Sequence, residues 1–131
     1  MAIYLTELDP DKLWFPSTFD ALSDPNGLLA FGGDLSAERL ILAYQNGIFP
    51  WYGPGEPILW WSPSPRAVFD PKTFQPAKSL KKFQRKLAYC VTINHATEQV
   101  IDYCASTRSK EETWLNEEMR SAYKTLAQQR Q

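Results

Sequence analysis

Four cations at helical spacing are the first residues whose types could support chemistry: Lys78, Lys82, Arg85 and Lys86. The spacing i, i+4, i+7, i+8 places them on one face of a helix, with Lys81 at its edge. No acidic residue lies between Lys72 and Lys86, so nothing along this segment offsets their mutual repulsion. This basic stripe is a candidate contact for nucleic-acid phosphates. The alternative is an ordinary solvated helix face.

A proline-rich aromatic segment, GIFPWYGPGEPILWWSPSPR at residues 47–66, is the second candidate. Its prolines stiffen the backbone, so holding the segment in one conformation costs little entropy. The indoles of Trp51, Trp60 and Trp61 offer flat faces for a nucleobase or an apolar side chain. The alternative is a packed corner of the core. Adjacent residues of an extended chain face opposite sides, so we expect at least one of Trp60 and Trp61 to be buried; for Trp51 both interpretations stay open.

Other reactive residue types give no recognisable catalytic pattern. The sequence contains no G-x-S-x-G, P-loop or G-x-G-x-x-G motif. The adjacent acids Glu111–Glu112 and Glu117–Glu118 are expected to be surface charges. Because His95 has no second histidine to help it bind a metal, a structural role is expected. Cys90 and Cys104 lack metal-ligand spacing, and we expect free, mostly buried thiols in a reducing cytoplasm.

The composition is that of a soluble globular protein. The 131 residues are 44% hydrophobic and 22% charged, with a net charge of −1. Such a balance gives no global attraction to nucleic acid, so any such affinity requires a local patch. The absence of a long apolar run and of a basic amino-terminal leader predicts a cytoplasmic protein.

Turn and cap signals then divide the chain into elements of both kinds. Residues 28–31 are expected to form a strand or a buried segment. A helix is predicted at 37–45, with Ser36 as its N-cap and Asn46–Gly47 ending it. The basic stripe gives a second helix, and residues 89–94 alternate like a strand.

Two further helices are predicted in the carboxyl-terminal part of the sequence. The third runs through HATEQVIDYCAS, with Asn94 as its cap. The last begins after Asn116, and its apolar stripe comprises Leu115, Met119, Ala122, Tyr123 and Leu126. Because this stripe continues almost to residue 131, we expect the helix to dock on a partner or on a larger fold. The residues alone thus predict an α+β domain with an aromatic pocket and a basic stripe, and no particular reaction.

Several long motifs, read in order, resemble the leucyl/phenylalanyl-tRNA–protein transferase family. They are PNGLLAFGGDLS, LILAYQNGIFPW, PILWWSPSPR, AKSLKKFQRK, VTINHATEQVIDYCAS and TWLNEEMRSAYKTL. The resemblance implies transfer of leucine or phenylalanine from aminoacyl-tRNA to an amino-terminal arginine or lysine, which marks the acceptor protein for degradation by the N-end rule. It also implies a small amino-terminal α/β domain at 1–64, followed at 65–131 by the start of an acetyltransferase-like domain. Since the aminoacyl ester is already activated, no metal or nucleotide cofactor is expected.

The resemblance also assigns residues. Trp51, Trp114 and Tyr44 correspond to the site that receives the aminoacylated terminal adenosine. Lys78, Lys82, Arg85 and Lys86 correspond to the cluster that supports the tRNA acceptor arm. Family members are longer, and their second half supplies the GES region and the proton-transfer groups. We therefore expect a truncated form that does not catalyse transfer by itself; the alternative is a non-catalytic module that binds tRNA or a peptide.

Overall fold

The computed structural model describes residues 2–129, which form two compact units. The larger unit comprises residues 2–64 and 97–129, and the smaller comprises residues 65–96. The expected α+β class is confirmed, while the acetyltransferase-like assignment stays a prediction. In chain order the elements are β1 (Thr6–Leu8), a 3-10 turn (Thr18–Asp20), β2 (Leu28–Gly32), α1 (Ala37–Gln45), β3 (Phe49–Pro50), β4 (Leu59–Trp61), α2 (Lys78–Lys86), α3 (Thr97–Ser106) and α4 (Glu117–Gln129).

The larger unit is built on a four-stranded sheet with the order β1-β2-β4-β3. Strand β1 runs parallel to β2, whereas β4 runs antiparallel to both β2 and β3. The proline-rich segment therefore forms a hairpin, in which Phe49 opposes Trp61 and Pro50 opposes Trp60. Its remaining prolines lie in the connecting loop or after the hairpin, where no ladder hydrogen bond is lost. Residues 28–31 were expected to form a strand or a buried segment, and they lie in strand β2.

Trp60 lies at the centre of the core. It is fully buried, and its indole N–H donates to the carbonyl of Gly32 at 2.9 Å. The ring of Phe15 meets it edge-on at 4.9 Å. Trp61, on the other side of the strand, is only partly buried, so the expectation for this pair is confirmed. The buried core cluster comprises Leu8, Leu29, Ala30, Leu40, Ala43, Ile48 and Trp60.

Helix α1 begins and ends where its cap signals predict. The hydroxyl of Ser36 accepts the backbone N–H of Arg39 at 3.3 Å. Gly47 follows the C-cap with a φ of +71°, a conformation that glycine adopts without a Cβ clash. The next N–H, of Ile48, returns to the carbonyl of Ala43 at 2.8 Å. The chain can therefore turn directly from α1 into β3.

Arg39 is a buried cation that joins α1 to the amino-terminal loop. Its side chain is 1% exposed, and Nε donates to the carboxylate of Asp34 at 2.9 Å. Its Nη2 donates to the carbonyls of Asp9 at 3.1 Å and Lys12 at 3.0 Å. Burial of the Asp34 carboxyl opposes ionisation, but hydrogen bonds from Arg39 and Ser36 outweigh burial and lower the pKa of Asp34. The buried charge is thus paired and hydrogen-bonded, as its burial requires.

The structure corrects two further expectations, one for a strand of the smaller unit and one for the two cysteines. Residues 89–94 do not form a strand, and Tyr89, Val91 and Ile93 are each more than three-quarters exposed. A strand requires a hydrogen-bonded partner, and no described residue pairs with this segment. Cys90 is also exposed, as is Cys104 in α3, so both thiols are free as expected but the prediction of burial was wrong.

The last two helices differ in how well their starts were predicted. Helix α3 begins at Thr97, and Asn94 is not its cap but has a φ of +60°, which asparagine tolerates. The Oδ1 atom of Asn116 accepts the N–H of Met119 at 2.9 Å, which confirms that cap. Met119 is fully buried, and Ala122 and Leu126 pack against the core cluster, so the predicted stripe of α4 does face the core. No helix among residues 2–129 is both long and apolar enough to cross a membrane.

Candidate functional site

Two indole rings stack on the surface of the larger unit. The ring centroids of Trp51 and Trp114 are 5.0 Å apart, and the planes differ by 15°. Trp51 is 49% exposed, and Trp114 is half-buried. A stacked and partly exposed aromatic pair presents a flat apolar face, which suits a nucleobase.

The backbone of the β3–β4 hairpin fixes the position of Trp51. Its N–H donates to the carbonyl of Leu59 at 2.9 Å. Its own carbonyl accepts the indole N–H of Trp61 at 2.7 Å. The side chain of Trp61 thus holds the backbone at Trp51 and leaves the Trp51 ring available to a ligand.

Trp114 is held at the start of α4. The hydroxyl of Thr113 accepts the N–H of Leu115 at 3.2 Å, which forms a short turn around Trp114. Beyond it, the hydroxyl of Tyr52 donates to the carboxylate of Glu118 at 2.7 Å. This bond ties the first turn of α4 to the residue that follows Trp51. The two stacked indoles are therefore anchored by neighbouring contacts.

Two tyrosines extend the stack into an aromatic row, defined here as Trp51, Trp114, Tyr123 and Tyr44. The ring of Tyr123 meets Trp114 edge-on at 6.2 Å, and the ring of Tyr44 meets Tyr123 at 6.4 Å. The two hydroxyls form a 2.5 Å hydrogen bond. Tyr44 is thus linked to the two sequence-predicted tryptophans through Tyr123. Tyr123 was predicted only as part of the apolar stripe of the last helix. The sequence signal that could have singled it out is its position in the family-like motif TWLNEEMRSAYKTL.

Burial keeps the hydroxyls of Tyr123 and Tyr52 protonated. It raises the pKa of Tyr123, and the hydrogen bond with Tyr44 raises it further. Burial and the Glu118 carboxylate raise the pKa of Tyr52 to about 12. Both groups therefore act near neutral pH as neutral hydroxyls and not as bases.

An apolar groove of about 400 Å³ lies between α3 and α4. Trp114 and Tyr123 line one part of it, and Val100, Ile101 and Leu126 line another. The aromatic row therefore borders a space suited to an apolar group. No cluster of three or more His, Cys, Asp or Glu within residues 2–129 could hold a metal ion.

The basic stripe forms on α2 of the smaller unit. The helix extends from Lys78 to Lys86, as its spacing predicts. All four cations of the stripe are exposed, and none forms an ion pair with another described residue. Their charges are thus left to solvent or to an anionic partner.

Comparison with known proteins assigns both parts of the sequence to one family. Residues 33–64 match the leucyl/phenylalanyl-tRNA protein transferase N-terminal domain, and residues 68–131 match the leucyl/phenylalanyl-tRNA protein transferase model. The chain belongs to the leucyl/phenylalanyl-tRNA protein transferase family.

Individual relatives agree with this assignment. The leucyl/phenylalanyl-tRNA–protein transferase of Vibrio vulnificus is 74% identical over 129 residues, covering 98% of this chain and 54% of the relative. The protein of the same name from Vibrio cholerae is 70% identical, covering 98% of this chain and 53% of the relative. That of Photobacterium profundum is 60% identical, covering 96% and 53%. The chain spans about half the length of the curated relatives it matches.

The two matched regions of this transferase-family chain both contribute to the aromatic row. Tyr44 and Trp51 belong to the first region, whereas Trp114 and Tyr123 belong to the second. The basic stripe also lies in the second region. The roles of these residues in binding stay predictions, as does the assignment of proton-transfer groups to a later part of the family sequence.

Proposed function

We propose that this chain serves the transfer of leucine or phenylalanine from aminoacyl-tRNA to the amino-terminal arginine or lysine of a protein. The observation that carries the proposal is the stack of Trp51 on Trp114, since each indole comes from a different family-matched region. The transfer would mark the acceptor for degradation by the N-end rule in the cytoplasm. The names of the relatives do not favour the alternative of a non-catalytic binding module.

In this proposal the aromatic row binds the aminoacylated terminal adenosine. The adenine stacks on the exposed indole of Trp51, and the hydroxyls of Tyr44 and Tyr123 lie at the far end of the row. The bound ester is already activated, so the chemistry consists mainly of holding the ester and the attacking amine at reacting distance. Proton transfer is assigned to groups that lie in the half of the relatives not covered by this chain.

The basic stripe supplies the second contact, with the tRNA acceptor arm. Four exposed cations without ion-pair partners among the described residues are suited to successive phosphates. We retain two domains, at 1–64 and 65–131, with an acetyltransferase-like fold for the second, although residues 97–129 pack in one compact unit with residues 2–64. The boundaries of the two family matches, 33–64 and 68–131, are compatible with that division.

Transfer can be tested by joining this chain to the part of the Vibrio vulnificus relative that it does not cover. We expect the fusion to move labelled phenylalanine from charged tRNA to a peptide that begins with arginine, but not to one that begins with glutamate. The intact relative is the positive control, and a fusion with Trp51→Ala and Trp114→Ala is the matched negative control. A folded fusion that binds charged tRNA yet transfers nothing would contradict the proposal.

A further inference from the structure

The larger unit contains a cationic site of its own, formed by residues other than those of the basic stripe. A pocket of about 530 Å³ is formed by the segment between α3 and α4 and by the first turn of α4. Three of its lining residues are cationic, namely Arg108, Lys110 and Arg120, and one is acidic, Glu117. This local excess of positive charge occurs in a chain whose net charge is −1. The pocket is therefore suited to an anion.

Two of these cations have no ion-pair partner among residues 2–129. Arg108 and Lys110 are exposed, and neither forms an ion pair with any residue in the described part of the chain. Both belong to the loop that leads into Trp114. An anion in the pocket would interact favourably with both charges.

Arg120 is only weakly neutralised by its neighbour. Its Nη1 atom is 3.6 Å from the carboxylate of Asp102, whereas Lys124 approaches the same carboxylate at 2.8 Å. The Nε atom of Arg120 is buried, with no hydrogen-bond partner among residues 2–129. Asp102 lies closer to Lys124 than to Arg120, so it only partly offsets the charge that Arg120 contributes to the pocket.

The pocket adjoins the aromatic row through the chain itself. Thr113 and Leu115, the two neighbours of Trp114, both line it. A cationic groove beside an aromatic face is the arrangement by which proteins bind single-stranded nucleic acid, because the groove follows the phosphates while the bases stack.

We propose that this pocket binds a backbone phosphate of the single-stranded RNA whose terminal base lies on Trp51 and Trp114. The inference rests on the proposed function, which supplies the RNA. An acceptor protein with an amino-terminal arginine or lysine is a poorer occupant, because its cations would be repelled. Among the described lining residues only Glu117 carries a charge that opposes the phosphate, so removing that charge strengthens binding.

The test measures binding of two RNA hairpins, one with a single-stranded 3′ tail and one blunt, over a range of salt concentrations. For the tailed hairpin, the double change Arg108→Ala and Lys110→Ala should weaken binding about tenfold and lower the salt slope by about 0.7 for one lost phosphate. Glu117→Gln should strengthen binding by about threefold. For the blunt hairpin, neither change should have an effect beyond that of the control.

The matched control is Lys12→Ala, which removes an exposed cation of the same unit that does not line the pocket. If the pocket changes alter tailed-hairpin binding no more than Lys12→Ala does, the phosphate site is overturned while the proposed function stands. Equal losses for tailed and blunt hairpins would likewise overturn it, since they indicate a general charge effect. If the unaltered chain binds neither hairpin, the proposed function and the site fail together.

Discussion

The stacked indoles show what can be predicted from residue types when the contacts of the folded chain are unknown. The stiff segment around Trp51 left both a ligand face and a packed corner open, and the family motifs singled out Trp51 and Trp114. That the two rings stack depends on the hairpin and the start of α4 meeting in space, which no local spacing specifies. The place of Tyr123 in the aromatic row was missed for the same reason, because its hydroxyl partner Tyr44 lies on another helix.

The hydroxyl of Tyr52 gives a prediction at this scale. Its pKa is raised from the ordinary value near 10 to about 12, so the native state keeps a proton that the unfolded chain releases. Stability from this group is complete below pH 10 and falls as the pH rises from 10 to about 12. We expect Tyr52→Phe to flatten that part of the unfolding free energy profile, measured by urea denaturation.

Tyr4→Phe, at a tyrosine that is 91% exposed, is the control for general titration. The wild-type protein and the Tyr4 variant should lose stability in parallel at high pH. Identical alkaline profiles for the Tyr52 variant and wild type would show that the bond to Glu118 does not stabilise the start of α4.

At the scale of elements, helices were predicted better than strands. Helix α1 has its cap, its apolar face and its terminating glycine within a few residues, so its bounds follow from local chemistry. The alternation at residues 89–94 is equally local, but a strand also needs a partner, and the described residues supply none. Asn94 was misassigned as a cap because asparagine also favours the left-handed conformation that it adopts here.

The basic stripe gives the prediction at this scale. Replacing Lys78, Lys82 and Arg85 with glutamate should abolish a salt-dependent tRNA shift in a gel, because it reverses the charge of most of the stripe. Circular dichroism should show that α2 persists, since glutamate is also a good helix former. The control is Lys72→Glu, an exposed lysine of the same unit outside the stripe, which should change affinity little. Binding that survives the triple change would mean that the stripe is ordinary surface.

At the scale of the whole molecule, the class of fold could be predicted, but not the side-chain hydrogen bonds that join distant segments. Composition and alternating element types predicted an α+β protein, and the structure confirms it. Arg39 joins α1 to the amino-terminal loop by hydrogen bonds. In the sequence alone, it looks like an ordinary surface charge of an amphipathic helix. Its burial depends on carbonyls of Asp9 and Lys12 that converge only in the folded chain.

Arg39→Met tests these hydrogen bonds. The change removes the donor to the carbonyls of Asp9 and Lys12 and one of the donors to the Asp34 carboxylate. We expect it to lower the free energy of unfolding by about 2–4 kcal/mol. Glu38→Gln, at the exposed neighbouring position, should stay within about 0.5 kcal/mol of wild type. Urea denaturation followed by tryptophan fluorescence measures both. A cost for Arg39→Met as small as that of Glu38→Gln would contradict the structural role of the guanidinium.

The most direct test of the proposed adenosine site is to measure by calorimetry how tightly this chain binds a non-hydrolysable amide analogue of 3′-phenylalanyl-adenosine. We expect the wild-type protein to bind it, and Trp51→Ala or Trp114→Ala to weaken binding by about 1–3 kcal/mol, the usual contribution of base stacking. Trp14→Ala, at a tryptophan that is 54% exposed but outside the aromatic row, should leave affinity unchanged. Equal affinity of all four proteins, or no binding to the wild type, would contradict the claim that the stacked indoles receive the terminal adenosine.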